Sequence, residues 1–166
     1  MSGSIDTHFL QLVNTNIGIA HKVCRIYFKK PEDQADVIQE MMYQLWRSFE
    51  RFDNRSKFST WMYSVCLNTA LTYRRKSSRH ETTVMVVEHE QIPNPPEANR
   101  EDAISALYQA IGTLSPINRA IMMLYLEELS YEEIGEITGL SRSNVSVRLV
   151  RAKRELQKLM EHTVNK

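Results

Sequence analysis

A polar, proline-containing segment near the middle of this 166-residue chain most constrains what it can fold into. Residues 76–100 read KSSRHETTVMVVEHEQIPNPPEANR, a stretch that lacks helical periodicity and holds three of the five prolines. Proline blocks the continuation of a helix and holds the residue before it in an extended conformation. We therefore predict a partly flexible linker of about 20 residues between two small domains. The predicted boundaries are 1–78, 79–101 and 102–166 for the first domain, the linker and the second domain.

The linker also contains an apolar run, Val84–Val87. Two interpretations are open: a short strand, or a segment that docks on a neighbouring surface or inside a partner's channel. Side chains that can ligate a metal lie nearby, at His80, Glu88, His89 and Glu90. A flexible acidic linker offers no surrounding groups to orient such ligands. We therefore predict no metal site and no cofactor.

Outside this segment, apolar residues recur at the three- and four-residue spacings of amphipathic helices. Predicted helices cover residues 5–30, a segment capped by Asp33 that runs to residue 49, then 58–75, 103–113, 116–126, 131–138 and 143–160. The chain has only five glycines and five prolines, too few for the many turns of a β-barrel or sandwich. The sequence therefore predicts an all-α fold of two small helical domains joined by the flexible linker.

Several classes of protein are disfavoured by composition. No apolar run approaches the roughly 20 residues that span a bilayer, and MSGSIDTHF does not resemble a signal peptide. The cysteines Cys24 and Cys66 cannot form a disulfide framework, which indicates a reducing compartment. They are isolated thiols, and the glycines are too scattered to form a phosphate-binding loop. We therefore predict a soluble cytoplasmic protein that is not an enzyme and has no small-molecule substrate.

The C-terminal block has the pattern of a helix-turn-helix. Ser130 and Glu133 have capping-box spacing, and Gly139 stands where a helix ends in a left-handed residue. A second helix, capped by Ser141 or Ser143, follows. Its predicted buried stripe is Val145, Leu149, Ala152 and Leu156. An ordinary helical hairpin is the alternative, but the charges favour DNA binding: residues 127–136 hold five glutamates, whereas 141–158 hold six basic residues, which would attract phosphate.

The N-terminal block combines aromatic and basic residues. Between residues 49 and 79, seven Lys/Arg accompany the aromatic side chains Phe49, Phe52, Phe58, Trp61, Tyr63 and Tyr73. Aromatic faces beside cations suit single-stranded nucleic acid, because bases stack and phosphates need neutralising. The alternative is a packed core, which we expect for Phe58 and for part of the Trp61 ring. Polar contacts to an extruded base are available at Asn68, Thr69 and Thr72.

Three ordered blocks, DQADVIQEMMYQLWRS (33–48), FSTWMYSVCLNTALTYRR (58–75) and residues 114–156, resemble bacterial sigma factors of the extracytoplasmic-function group. The resemblance implies that the first domain docks on the β′ clamp of RNA polymerase and helps melt the minus-ten element. It implies that the second domain binds the β flap and reads the minus-thirty-five element in the major groove. An anti-sigma factor, in this family often membrane-anchored, is the implied regulator, and polymerase supplies the chemistry.

The resemblance also assigns residues. Polymerase docking is implied for Asp36, Gln39, Glu40, Gln44 and Trp46. DNA contacts, to duplex or to the non-template single strand, are implied for Arg55, Lys57, Trp61, Asn68, Thr72, Arg74, Arg75, Arg142, Ser143, Asn144, Ser146, Val147, Arg148, Val150, Arg151 and Lys153. The chain departs from the family pattern at Ala35, Ser59, Leu67, Ser146 and Val147, so base preference cannot be copied from relatives. A stand-alone helix-turn-helix regulator is the alternative function, and a nucleic-acid-modifying enzyme lacks the residues it would need.

Overall fold

The structure of the protein is a computed structural model that describes residues 2–80 and 100–164. Every regular element among those residues is a helix. The chain divides into two compact units, Met1–His80 and Glu81–Lys166. The prediction of an all-α fold with two helical domains is therefore confirmed. The apolar run at 84–87 and the possible ligands Glu88, His89 and Glu90 lie outside the described residues. For His80, the other possible ligand, the structure describes the backbone but not the side chain.

The N-terminal unit is built on three mutually packed helices. Its elements are α1 (Ser2–Thr15), α2 (Ile17–Tyr27), α3 (Pro31–Ser48), a short 3₁₀ helix (Phe49–Arg51) and α4 (Phe58–His80). Helices α2, α3 and α4 all contact one another, and α1 packs on α2. Their shared core is fully buried and consists of Ala20, Val23, Cys24, Val37, Met41, Leu45, Met62, Cys66 and Ala70. The remaining face of α3 and the start of α4 are left at the surface.

Two boundaries in this unit differ from the prediction. The periodicity of residues 5–30 predicted one helix, but the chain breaks at Asn16, whose side-chain amide donates to the Leu12 carbonyl at 2.8 Å and so ends α1. Asp33 was predicted to cap α3, but α3 begins at Pro31. Proline suits the first helical position, because its φ is already helical and it has no N–H to satisfy. Asp33 instead lies in the first turn, where its charge complements the helix dipole.

Between residues 100 and 164, the C-terminal unit has four helices around one core. These are α5 (Arg100–Ile111), α6 (Pro116–Leu126), α7 (Tyr131–Thr138) and α8 (Arg142–Val164). Helix α8 packs against α5, α6 and α7. The largest fully buried side chains of this core are Ile111, Leu114, Ile121, Met123, Leu124, Ile134 and Leu149. The long α8 is therefore the central element, and one of its faces is left for other contacts.

The helix-turn-helix forms by the local interactions that the sequence predicts. The Ser130 hydroxyl accepts from the Glu133 N–H at 3.1 Å, and the Glu133 carboxylate accepts from the Ser130 N–H at 2.9 Å. Gly139 ends α7 with φ +77°, a conformation that costs glycine little. Of the two candidate caps for α8, Ser141 is the one used: its hydroxyl accepts from the Asn144 N–H at 3.2 Å. Short-range bonds thus set where α7 begins and ends and where α8 begins.

Gly135 should be the most sensitive glycine of this turn. A Cβ built on it would lie 2.7 Å from the Leu140 carbonyl oxygen. We expect Gly135→Ala to destabilise the C-terminal unit by about 1–3 kcal/mol, because backbone atoms must move apart to admit the methyl group. Thermal and urea unfolding would measure the loss. Gly18→Ala in α2 is the matched control, since no atom lies within 4 Å of its Cβ position; equal losses in both variants would contradict the expectation.

Candidate nucleic-acid interface

Helix α8 separates a buried stripe from an exposed face. Val145, Leu149, Ala152 and Leu156 are all buried, as predicted. The residues exposed on its N-terminal half are Arg142, Ser143, Asn144, Val147, Val150 and Arg151, while Ser146 and Arg148 are half-buried. We call these eight residues the recognition face. Val147 and Val150 are each 48% exposed, and apolar side chains of this size can contact the methyl group of thymine in a major groove.

Three basic side chains of α8 have partners within the unit. Arg142 forms an ion pair with Glu132 of α7 at 3.0 Å, with both side chains largely exposed. Arg148 donates to the Asn118 side chain at 3.4 Å. Lys153 donates to the Tyr125 hydroxyl at 3.0 Å. Its ammonium also lies 4.2 Å from the centre of the Tyr125 ring, so it is held against α6.

In the N-terminal unit, the turn between the 3₁₀ helix and α4 is stabilised from within. The Asp53 carboxylate accepts the Arg55 N–H at 3.1 Å and pairs with the Arg55 guanidinium at 3.0 Å. Asn54 has φ +61°, a left-handed conformation that asparagine tolerates better than most residues. We call residues 53–57 the surface loop. Its basic residues, Arg55 and Lys57, are exposed, so they can reach a phosphate backbone.

The surface loop is flanked by an aromatic cluster of Phe49, Phe52, Phe58 and Trp61. The Trp61 ring centre lies 5.1 Å from Phe52, 5.5 Å from Phe58 and 6.2 Å from Phe49. All four side chains are half-buried. The prediction that Phe58 belongs to the core is therefore wrong: the cluster closes the end of the unit and keeps part of each ring accessible. Such rings can stack on bases.

Other predicted stacking or polar groups in this unit are not available. Tyr63 is buried, and Tyr73 packs edge-on against Phe28 at 5.7 Å. Thr69 is buried and donates to the Val65 carbonyl at 2.7 Å, because a threonine hydroxyl in a helix commonly bonds one turn back.

The other predicted polar groups of this unit remain accessible: Asn68 and Thr72 are exposed on α4. Towards the end of this helix, Arg74 is half-buried and Arg75 is exposed.

The outer face of α3 brings together the residues predicted to dock on polymerase. Asp36, Gln39 and Glu40 are exposed, and the half-buried Gln44 donates to the Glu40 carboxylate at 3.0 Å. Trp46 is 49% exposed, and its ring meets Phe9 of α1 edge-on at 5.4 Å. The prediction missed a residue of this face, Tyr43, which is 54% exposed. Its spacing of three and four residues from the neighbouring positions could have identified it. We call these six residues the α3 face.

The C-terminal unit also has an apolar groove of about 580 Å³ between α6 and the C-terminal half of α8. Its lining is formed by Met122, Tyr125, Leu126, Lys153, Leu156, Gln157, Met160 and Glu161. Leu126 and Met160 are 44% and 42% exposed. The groove lies beyond the recognition face along α8, so one helix carries two separate surfaces.

The two thiols are buried in the N-terminal core. Burial raises the pKa of Cys24 to about 11. Burial also raises the pKa of Cys66 to about 12, with a smaller contribution from Cys24. Both thiols are therefore protonated at neutral pH and are poor nucleophiles. Within residues 2–80 and 100–164, no three His, Cys, Asp or Glu side chains group as a metal site would require.

Each of the two units matches a known family model. Residues 12–80 match the family model for sigma-70 region 2, and residues 104–156 match that for sigma-70 region 4. Among the described helices, none has the length and apolar character needed to cross a bilayer.

Individual relatives match across most of their own length. The chain is 30% identical to the ECF RNA polymerase sigma-E factor of Haemophilus influenzae over 144 residues, covering 75% of this chain and 73% of the relative. It is 29% identical to RNA polymerase sigma factor SigV of Bacillus subtilis over 128 residues, covering 76% and 75%.

Solved structures share the fold. The sigma factor RpoE of Bartonella quintana, crystallised with the anti-sigma factor NepR, matches with a TM-score of 0.72 at 20% identity, covering 95% of this chain and 97% of that one. CnrH, solved in complex with the cytosolic domain of CnrY, matches with a TM-score of 0.68 at 21% identity, covering 95% and 90%.

Proposed function

Since the chain belongs to the extracytoplasmic-function group of sigma-70 factors and is a promoter-recognising RNA polymerase sigma factor, we propose how its surfaces divide that work. Residues 1–78 bind the polymerase core and open the minus-ten element, and residues 102–166 bind the minus-thirty-five element. The observation that carries this proposal is that each unit presents one exposed surface suited to DNA and a separate surface suited to protein. The chain supplies specificity, polymerase supplies the chemistry, and both act in the cytoplasm where the chromosome lies.

We propose that the N-terminal unit captures a base from the non-template strand. The half-buried Trp61 and its cluster supply a stacking surface, and the exposed Asn68 and Thr72 supply polar contacts on the same helix. Arg55, Lys57, Arg74 and Arg75 neutralise the adjacent phosphates. Extruding a base costs a few kcal/mol, and stacking returns about 1–3 kcal/mol per base. Binding energy on this surface would therefore offset much of the cost of strand opening.

We propose that the recognition face of α8 enters the major groove of duplex DNA. Arg142 and Arg151 are long enough to reach base edges or phosphates, while Ser143 and Asn144 stand at the exposed N-terminus of the helix. Val147 and Val150 give this face an apolar contribution. Arg148 and Lys153, which are tied to Asn118 and Tyr125, serve as phosphate contacts that the unit already holds in place. Phosphate contacts of this kind set the position of a helix rather than its sequence preference.

We propose that the α3 face and the apolar groove bind polymerase. Carboxylate and amide groups beside Tyr43 and Trp46 fit a basic, partly apolar helix of the β′ clamp. The groove fits an apolar helix of the β flap, because Leu126 and Met160 are exposed at its edge and apolar side chains there gain by leaving water. Of the residues assigned to DNA, only Lys153 also lines the groove, so DNA and polymerase can bind α8 together.

A charge in the groove should weaken flap binding selectively. We expect Met160→Asp to reduce transcription from promoters that depend on the minus-thirty-five element by about tenfold, since it removes about 1–2 kcal/mol of apolar contact. Reconstituted transcription on promoters with and without that element would measure the effect. His162→Asp adds the same charge to exposed α8 surface outside the groove and should have little effect; equal losses would argue against flap binding here.

Reconstitution with core polymerase tests the function as a whole. Promoters would first be selected from random DNA with the assembled holoenzyme, and the selected DNA then footprinted with this chain alone and with the holoenzyme. A sigma factor should protect and open promoter DNA only with polymerase. Strong protection by the chain alone, with no initiation, would identify a stand-alone helix-turn-helix regulator instead.

We also propose that an anti-sigma factor regulates this chain. One relative in fold, the sigma factor RpoE of Bartonella quintana, was solved with the anti-sigma factor NepR, and another, CnrH, was solved with the cytosolic domain of CnrY. The α3 face and the groove are the surfaces that such a partner would need to cover, because polymerase requires both. Covering them would block polymerase without any change in the recognition face.

A further inference from the structure

Phe49 is the centre of the aromatic contacts in the N-terminal unit. Its ring lies near those of Phe52 at 6.4 Å, Phe58 at 6.4 Å and Trp61 at 6.2 Å. On its other side it lies 5.0 Å from Phe9 and 6.3 Å from His8, both on α1. Phe9 is buried and also touches Trp46 of the α3 face. One side chain therefore connects α1 with the rings on both sides of the surface loop.

The surface loop depends on these rings for its position. Phe52 immediately precedes the loop and Phe58 immediately follows it, and their rings meet edge-on at 5.8 Å. The loop itself is held by the Asp53–Arg55 contacts and by the left-handed Asn54. All of its residues except the half-buried Ser56 are exposed, so the orientation of the loop relative to α4 is set mainly by the residues at which it begins and ends.

We infer that Phe49 is a positioning residue for promoter opening and that α1 supports Phe49 through Phe9. This inference rests on the proposed function of the N-terminal unit. Phe49 packs behind Phe52, Phe58 and Trp61 and holds them at the angles at which a base can stack. A pocket that is already ordered binds without the cost of ordering its side chains. The loss of Phe49 should therefore weaken the capture of the base.

The test measures promoter opening with reconstituted holoenzyme. Phe49→Leu keeps an apolar side chain but removes the ring. We expect it to slow the appearance of permanganate-reactive thymines by about tenfold, since it loses several aromatic contacts. We expect a similar loss of affinity for a forked DNA whose minus-ten strand is already single. Binding of the polymerase core should stay within about twofold, because the ring of Phe49 reaches Trp46 of the α3 face indirectly, through Phe9. Binding of closed duplex promoter should change as little, because the recognition face belongs to the other unit.

Two variants separate positioning from general stability. Phe49→Tyr keeps the ring at a site that is only half-buried, so opening should remain close to that of the unchanged protein. Ile26→Val removes a methylene from the buried core of α2 and should lower thermal stability comparably without slowing opening. If Ile26→Val slows opening as much as Phe49→Leu, or if the tyrosine variant fails to restore it, the positioning role is wrong.

Double variants test directly whether Phe49 and Trp61 act on the same pocket. The effects of Phe49→Leu and Trp61→Ala on opening should be less than additive, because both act on one pocket. The effects of Phe49→Leu and Arg151→Ala should add, because the two residues lie in different units. If the unchanged protein opens no promoter at all, the proposed function fails. If it opens promoters and Phe49→Leu opens them equally fast, only the present inference fails.

Discussion

We expect Trp61→Ala to slow promoter opening by about thirtyfold and to leave the first, closed complex nearly unchanged. The size follows from the loss of about 2 kcal/mol of base stacking. Trp61 is half-buried, and its ring faces Phe52 at 5.1 Å, so it is supported on one side and accessible on another. A base that stacks there must already have left the duplex, and the interaction therefore acts only after closed binding.

Permanganate footprinting over time, with the holoenzyme on duplex promoter, measures this effect. Trp61→Phe retains a stacking surface and should recover most of the rate, and Asn68→Ala should show a smaller defect of the same kind. Arg151→Ala provides the contrast, because it should weaken binding that depends on the minus-thirty-five element by about 1–3 kcal/mol if it meets a base edge. Unchanged thymine reactivity in both Trp61→Ala and Asn68→Ala would reject the proposed pocket.

Reversing two charges on the α3 face should produce the second large effect. We expect Asp36→Arg combined with Glu40→Arg to weaken binding of the polymerase core by about 2–5 kcal/mol, since like charges replace complementary ones at an interface. Both residues are exposed, so the fold should be unaffected and circular dichroism should not change.

Competition between the variant and the unchanged protein for limiting core polymerase measures the loss. Asp6→Arg makes the same kind of charge reversal on α1 of the same unit and should compete normally. Raising the salt concentration should narrow the difference between the unchanged protein and the double variant, because exposed charges are screened. Normal holoenzyme assembly by the double variant would show that polymerase binds elsewhere.

The parts of the fold that the sequence predicts well are those decided within a few residues. Ser130 and Glu133 cap α7 because they lie one turn apart, and Gly139 ends it because the backbone there is left-handed. The buried stripe of α8 follows from helical periodicity in the same way. Asn16, by contrast, interrupts a pattern that is apolar on both sides, and nothing in the spacing predicts a break.

The parts that the sequence does not predict depend on packing between helices. Whether Phe58 is buried depends on which rings reach it from the 3₁₀ helix, and Thr69 is unavailable because packing buries its side chain. The groove is formed by side chains from α6 and α8 that are separated by about thirty residues, so periodicity within one helix cannot reveal it. Tyr43 is different, since its place on the α3 face could have been predicted from its spacing in the sequence.

The division of α8 into a buried stripe and an exposed recognition face has an evolutionary consequence. Substitutions on an exposed helical surface usually change stability by less than about 0.5 kcal/mol, and the exposed residues from Arg142 to Arg151 make few contacts on which the fold depends. After a gene duplication, such positions can drift and acquire a different target sequence while the copy still folds. Chains of this kind can therefore multiply within one genome and come to control separate sets of genes without passing through an unfolded ancestor.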